Sequence, residues 1–178
     1  MFLLGGAGGA GLDQIHVQAG VLRYRSPAVA GQAWWVAPQF GVAAVAALDA
    51  ARLFSPRVDE PAASRIAGDA TWFVASYLAS GLVDRRGARS FAAVLVFLWV
   101  ARVARRRDRL PLIAYAAMLA VTGTAYEHLL AGTGAFSYAR PGLGNVPAWL
   151  PGLYLQGAPL AVDLARAISP GGRPDTVV

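Results

Sequence analysis

The sequence predicts an all-α, polytopic membrane protein with six transmembrane helices. Three observations support this prediction: 56% of the 178 residues are hydrophobic, only 15% are charged, and the apolar residues fall into long runs. A soluble domain carries about 25% charged residues and could not bury so much apolar surface in one core. A bilayer is therefore the expected solvent.

A helix needs about 20 mostly apolar residues to cross a hydrocarbon core roughly 30 Å thick, and six stretches of the chain are predicted to do so. In chain order, the spans cover residues 1–22, 28–54, 66–83, 90–104, 110–131 and 146–168. Short connections rich in proline, glycine or arginine separate them, as in tight turns between antiparallel helices. We expect one six-span domain over residues 1–178, with a short flexible tail from about residue 170.

Prolines predict where these helices are irregular. Pro38 and Pro159 each remove a backbone donor from a span, so both are expected to kink or open their helices. Pro151 stands near the start of the sixth span, where proline is tolerated.

The positions of the arginines predict the orientation. All 16 basic residues are arginine. Six spans place both termini on one side, and that side receives the larger set: Arg52, Arg57, Arg65, Arg102, Arg105, Arg106, Arg107, Arg109, Arg166 and Arg173. The positive-inside rule therefore predicts cytoplasmic termini. The abundance of arginine, alanine and glycine suggests a bacterial inner membrane.

Several classes of chemistry are missing from the sequence. There is no cysteine to form disulfides or thiolates and no lysine to form a Schiff base. Neither a zinc-protease helix motif nor a phosphate-binding loop motif occurs. We therefore predict no catalytic residue, no metal site and no cofactor, and we assign the positive charge to a membrane rather than to nucleic acid.

Polar side chains inside the spans are the candidate functional residues. A polar group that faces lipid is costly, so each must face the protein interior or a cavity. At about 1.5 Å per residue, most of them converge in the outer half of the bilayer, where an amphipathic lipid could place its head group. Simple hydrogen bonds between helices remain the alternative for each residue. The predicted lipid-binding set is Gln14, Gln18, Gln32, Trp35, Gln39, Ser80, Glu127, His128 and Gln156.

Small residues at four-residue spacing in the third span permit close helix approach. They are Ala75 and Ala79, and Ser76 and Ser80. We expect this face to serve a homo-oligomer.

Three segments resemble the insulin-induced gene (Insig) family. Residues 33–41 read Ala-Trp-Trp-Val-Ala-Pro-Gln-Phe-Gly, similar to the family's Ala-Trp-Trp-Val-x-Pro-x-x-Gly. Residues 146–151 read Val-Pro-Ala-Trp-Leu-Pro and are followed by Gly157, Asp163 and Arg166, similar to the family's Trp-Leu-Pro followed by Gly, Asn and Arg. Residues 134–138 look like the family's Gly-Val-Tyr-Gln-Tyr.

The resemblance implies a six-span membrane protein with cytoplasmic termini that binds a lipid and is not an enzyme. Insig proteins bind oxysterols in a membrane cavity and retain a sterol-sensing partner, Scap. Here it implies a lipid sensor or regulatory scaffold holding a diacylglycerol-like or sterol-like lipid in a central cavity, with a membrane-protein partner possible.

Two other functions stay open. A small-molecule transporter or channel could use Asp13, Glu127 and Asp163 as relay groups, although we find no convincing similarity between the two halves of the chain and transporters usually carry internal repeats. An intramembrane lipid enzyme could be built around Glu127 and His128.

Overall fold

A computed structural model describes residues 1–54, 61–83 and 88–168. Over these ranges the chain forms α1 (Phe2–Gln18), β1 (Leu22–Tyr24), α2 (Val36–Phe54), α3 (Ala63–Val83), α4 (Ala88–Val103), α5 (Arg109–Gly132), β2 (Phe136–Tyr138) and α6 (Leu150–Ile168). The six predicted helices are confirmed. The tail expected from about residue 170 lies outside the described residues.

The helix boundaries differ from prediction where the chain turns. Spans one, two and six are too long, because residues 19–35 and 133–149 form a strand followed by a loop rather than helix. The turns into the strands pass through Gly20 and Gly134, with φ of 69° and 78°, a conformation that glycine adopts without steric cost. These loops are apolar in composition, so they resemble helix in a hydropathy scan.

The shorter α2 changes the role of Pro38. This residue is the third of α2 rather than the middle of a span. The first four N–H groups of a helix have no carbonyl acceptor within the helix, so the missing N–H of Pro38 breaks no helical hydrogen bond. The expected interruption at Pro38 is therefore wrong. Pro159 does lie inside α6, as expected.

Helix α6 is the centre of the bundle. It contacts α2, α3, α4 and α5, and nine of its residues are buried. One apolar cluster surrounds its C-terminal half and includes Leu112, Tyr115 and Val162. A second surrounds its N-terminal half and includes Leu22, Phe136 and Trp149.

The first and last helix pairs are copies of one hairpin. α1 packs on α2 and α5 packs on α6, and each hairpin carries a strand in its turn. A constant shift of 114 in residue number relates β1 to β2, Gly20 to Gly134 and the start of α2 at Val36 to the start of α6 at Leu150. The isolated bridges Val29–Gln32 and Leu143–Val146 obey the same shift. The repeat relates the first and last helix pairs and leaves α3 and α4 outside it, so a comparison of the two halves of the sequence does not show it.

The two copies meet through their strands. β1 and β2 pair antiparallel, with Arg23 opposite Ser137 at the centre of the register. Both hairpin turns therefore lie at one end of the bundle, which we call the hairpin end. The α4–α5 connection, residues 104–108, lies at the opposite end, which we call the arginine end.

Equivalent glycines hold the helices of each hairpin close together. A Cβ atom on Gly9 would lie less than 3.0 Å from the Phe40 ring, and one on Gly123 less than 3.0 Å from the Tyr154 ring. The same shift of 114 relates both members of these pairs. Few residues are identical between the copies, so the three-dimensional match is the main evidence for the equivalence.

The surface is apolar and the interior holds the polar groups. Leu53, Leu82, Phe97 and Leu110 are all more than 70% exposed, whereas Asp163 is completely buried. By length and composition alone, one described helix, α2, qualifies as a membrane span; the others fall short in length or in hydropathy. Inward-facing polar residues lower the hydropathy of α6 without facing lipid.

The small-residue face of α3 does not lie entirely on the outside. Ser76 and Ser80 are buried, and Ser80 contacts α1, while Ala75 is exposed and Ala79 is half-buried. The two serines therefore serve packing within the chain, which corrects their assignment to an interface between copies.

Replacing Gly9 or Gly123 by alanine should lower the free energy of unfolding by about 1–3 kcal/mol, because the added methyl group meets a packed ring. Gly8→Ala is the matched control: nothing lies within 4 Å of the position that its added methyl group would occupy, and alanine favours helix by up to about 1 kcal/mol. Thermal unfolding of purified protein in detergent measures the difference. Equal effects at all three positions would contradict this account of the hairpins.

Candidate functional site

Two carboxylates, those of the buried Asp13 and the half-buried Glu127, occupy equivalent positions at the hairpin end. In the first hairpin, Asp13 Oδ2 accepts a hydrogen bond from the Tyr24 hydroxyl at 2.9 Å and another from the Gln32 amide at 2.8 Å. Gln32 also donates to the Ala10 carbonyl, which ties the loop before α2 to α1. The carboxylate thus links a helix, a strand and a loop.

In the second hairpin, Glu127 takes the place of Asp13 and Tyr138 that of Tyr24. Tyr138 donates to Glu127 Oε2, and Tyr154 donates to Oε1 at 2.6 Å. Tyr154 replaces Phe40 of the first hairpin, so its hydroxyl is an addition to the shared skeleton. Each hairpin therefore carries a carboxylate–tyrosine pair, at the same spacing of eleven residues.

A third polar contact joins α3 to this end of the bundle. His16 Nε2 lies 2.8 Å from Ser80 Oγ, which itself donates to the Tyr77 carbonyl. The imidazole stacks on the Tyr77 ring, with centroids 4.9 Å apart, and lies 5.3 Å from the Trp149 ring. His16 is thus held between α3 and Trp149, the residue that precedes α6.

Aromatic rings form the walls around the carboxylates. Trp35 meets Tyr24 edge-on at 5.4 Å, and the equivalent Trp149 meets Tyr138 edge-on at 6.4 Å. Phe136 contacts both tyrosines, at 5.8 Å and 5.7 Å. The site therefore combines fixed polar groups with a large apolar wall, which is the composition of pockets for small amphipathic molecules.

Some polar groups at this end keep hydrogen-bonding capacity. The Tyr77 hydroxyl has no partner among the described residues, and it lies within electrostatic range of both Asp13 and Glu127. The half-buried Gln39 amide likewise makes no hydrogen bond within the described ranges. A donor hydroxyl and an amide are suited to the hydroxyl and carbonyl oxygens of a neutral lipid head group.

The other predicted residues divide into separate roles. Gln14 donates to the Ala30 carbonyl at 2.9 Å. At the equivalent position, His128 Nδ1 accepts from the backbone N–H of Asn145 at 3.1 Å. Both side chains therefore secure the loops after the strands. Gln18 is exposed. Gln32, Trp35, Ser80 and Glu127 belong to the hairpin-end group, and Gln39 lies beside it.

Gln156 does not join that group. Its amide donates to the Leu95 carbonyl at 2.7 Å and accepts from Arg102 at 2.8 Å. It is fully buried. Through Arg102 it is connected to the charged groups of the arginine end. Its side chain is occupied by structural hydrogen bonds there, which corrects its assignment to the predicted lipid-binding set.

The arginine end contains a buried ionic network. Asp163 of α6 accepts from Arg65 at 2.8 Å and from Arg106 at 2.7 Å. Arg102 pairs with Asp69 and lies 5.2 Å above the Trp72 ring. These contacts connect α3, α4 and α6 through groups that hydrocarbon could not solvate.

Asp108, just before α5, closes the network. Both of its oxygens accept from Arg106 at 2.9 Å, and one also accepts from Arg166 at 2.7 Å. Burial raises the pKa of this carboxyl, but the hydrogen bonds and positive charges of the two arginines outweigh burial, and its pKa lies well below the ordinary value of 3.8.

The residues that sequence reasoning missed are mainly tyrosines. Tyr24, Tyr77, Tyr138 and Tyr154 supply most hydroxyl groups of the hairpin end, yet tyrosine is common at membrane interfaces and gave no separate signal. The repeated carboxylate–tyrosine spacing was the signal that could have found two of them. Over the described ranges, no three His, Asp or Glu side chains converge as metal ligands would.

Comparison of the sequence with family models and with curated proteins returns no match. Comparison of the fold with solved structures returns the crystal structure of a mycobacterial Insig homolog, MvINS from Mycobacterium vanbaalenii, with a TM-score of 0.84 and 25% sequence identity. The match covers 95% of this chain and 93% of that chain. A crystal structure of a cross-linked MvINS trimer matches with a TM-score of 0.83, at the same identity and coverage.

Asp163→Asn should destabilise the protein by about 3–5 kcal/mol, because it removes the fully buried negative charge that Arg65, Arg106 and Arg166 share. Asp49→Asn is the control, since Asp49 pairs with Arg52 on the surface and such pairs contribute about 0–1 kcal/mol. Thermal unfolding in the same detergent compares the two variants. Similar losses for both would argue against a stabilising network at the arginine end.

Stability should also fall in acid because of Asp108. A carboxylate with a lowered pKa stabilises the fold at pH values above its unfolded pKa, and this contribution is lost as the pH falls toward the folded pKa. Unfolding measured from about pH 6 to about pH 3 should show this loss. Asp108→Asn should be less stable at pH 6 and should lose less stability on acidification. An identical pH profile for both proteins would refute this role.

Proposed function

The chain is a bacterial homologue of the Insig family, and on this premise we propose that it binds one amphipathic lipid in a central intramembrane cavity at the hairpin end. The observation that carries the proposal is a combination of two features at one level of the bundle. Tyr77 and Gln39 present hydrogen-bonding groups that find no partner among the described residues, and an aromatic wall lies beside them. A neutral lipid of the diacylglycerol or sterol type matches this chemistry, because its head offers hydroxyl or carbonyl oxygens and its remainder is hydrocarbon.

The proposal includes the membrane topology. All six helices span the bilayer, both termini face the cytoplasm, and the membrane is the bacterial inner membrane. The exposed leucine and phenylalanine side chains on the bundle surface support it, because so much exposed apolar surface is unfavourable in water. The arginine end is then the cytoplasmic end and the hairpin end the outer one.

The proposed role is that of a lipid sensor or regulatory scaffold rather than an enzyme. Both oxygens of Glu127 accept hydrogen bonds from tyrosines, and His128 Nδ1 is engaged by the Asn145 amide. These contacts argue against Glu127 and His128 acting together as acid and base. We also propose that the chain forms a homo-oligomer, supported by the cross-linked trimer described for MvINS.

The repeated hairpin favours a second candidate, a small-molecule transporter or channel. Of its proposed relay groups, Asp13 and Glu127 lie together at the hairpin end, whereas Asp163 is held by arginines at the opposite end. Flux of ions and small solutes into vesicles containing the purified protein tests this candidate, and no flux above that of empty vesicles would remove it.

Native mass spectrometry of protein purified in mild detergent should detect one co-purifying lipid per chain. Tyr77→Phe should lower lipid occupancy about threefold to tenfold, because one hydrogen bond contributes about 0.5–1.5 kcal/mol. Tyr126→Phe is the control, since Tyr126 is exposed on the outside of α5. Gln39→Leu should lower occupancy as Tyr77→Phe does.

Absence of any bound lipid would contradict the proposed function. Equal loss of lipid in the Tyr77 and Tyr126 variants would show that the lipid binds outside the hairpin-end site.

A further inference from the structure

A cleft at the arginine end is lined by more positive charge than the network can neutralise. The cleft has a volume of about 520 Å³ and lies at the α4–α5 connection. Its walls are Ala104, Arg105, Arg106, Arg107, Arg109, Leu110 and Pro111. Four of these seven residues are arginines.

One of the four arginines is already neutralised. Arg106 lies inward and pairs with Asp69, Asp108 and Asp163. The carboxylate of Asp108 is the nearest acidic group in sequence, and both of its oxygens are engaged by Arg106 and Arg166. It therefore has little capacity to compensate further arginines in the cleft.

The other three arginines are free to bind an anion. Arg105, Arg107 and Arg109 are exposed and form no ion pair or hydrogen bond with any residue in the described ranges. Three guanidinium groups in a short segment repel one another unless an anion lies between them. Guanidinium groups bind phosphate oxygens well, because their N–H groups form a planar fork.

The rest of the cleft fits a molecule with a hydrocarbon part. Leu110, in the cleft wall, is 74% exposed, and Ile113, one turn further along α5, is 41% exposed. Asp108 makes no side-chain cap of α5, so the N-terminus of this helix keeps its partial positive charge beside Arg109 and Leu110 of the cleft wall. An apolar surface continues directly from the charged one along the same helix.

We propose that this cleft binds the head group of an anionic phospholipid, with its phosphate between Arg105, Arg107 and Arg109 and its acyl chains along Leu110 and Ile113. The inference rests on the proposed membrane embedding, but it concerns a site at the opposite end from the central lipid. A cytoplasmic leaflet rich in anionic lipid would hold this end of the protein at a fixed depth.

The experiment compares two lipids with the same acyl chains, dioleoyl phosphatidylglycerol and dioleoyl phosphatidylcholine, added to the delipidated full chain in detergent. Native mass spectrometry should show phosphatidylglycerol bound at least about tenfold more tightly. The variant Arg105→Gln/Arg107→Gln/Arg109→Gln should lose this preference. A control with the same charge change, Arg23→Gln/Arg25→Gln/Arg89→Gln, removes three exposed arginines outside the cleft and should keep it.

Further arms separate the possible sources of the effect. Soluble glycerol phosphate should not displace the lipid at equal concentration, and displacement would overturn a lipid site in favour of a free phosphate ester. Equal losses in both triple variants would show general charge attraction and overturn the proposal. A changed oligomeric state in the cleft variant, with unchanged lipid binding, would instead identify an interface between copies and also overturn it.

Two observations distinguish this proposal from the proposed function. Tyr77→Phe should leave phosphatidylglycerol binding unchanged, and Arg107→Gln should leave the co-purifying central lipid unchanged. If no central lipid is found while the cleft still selects phosphatidylglycerol, the proposed function fails and this inference stands.

Discussion

Asp163 has no exposed surface, and its carboxylate is surrounded by arginines from α3, from the α4–α5 connection and from its own helix. In a bilayer, apolar side chains gain little by leaving lipid for protein, so helices associate through packing and hydrogen bonds. A buried charge must also be matched inside the protein, because hydrocarbon offers no partner. Asp163 provides hydrogen bonds between helices, and its buried charge is matched by arginines. It lies on α6, which contacts α2, α3, α4 and α5, so the arginines of the arginine end are arranged around this one carboxylate.

The hairpin end satisfies the same constraint by different means. Two copies of one hairpin bring a carboxylate and a tyrosine together twice, and the paired strands join the copies. The skeleton is symmetric, but its polar groups are not: Gln32 is matched by Val146, and Phe40 by Tyr154. The lipid that we propose for this site would meet an asymmetric set of groups on a symmetric frame, which favours one orientation of its head group.

The candidate site was only partly predictable. Gln32, Ser80 and Glu127 are predicted because polar residues within spans must face inward, and Trp35 because it shares a predicted helical face with Gln32. All four lie at the hairpin end. Gln156 lies apart because its amide pairs with Leu95 and Arg102. The spacing of residues within α6 shows which of them share a face, but not which residues of other helices that face meets. The loops containing β1 and β2 were missed because their apolar residues pack against the core rather than against lipid.

The sequence by itself determined the class of the protein. Six apolar runs, a low content of charged residues and short polar connections predict a helical bundle in a membrane, because these properties depend on composition along the chain. The tertiary structure decided which polar groups meet. His16 and Ser80 are 64 residues apart and Arg65 and Asp163 are 98 apart, and their pairing depends on how each helix is rotated against its neighbours. Packing sets that rotation across the whole bundle, and no single run of residues contains it.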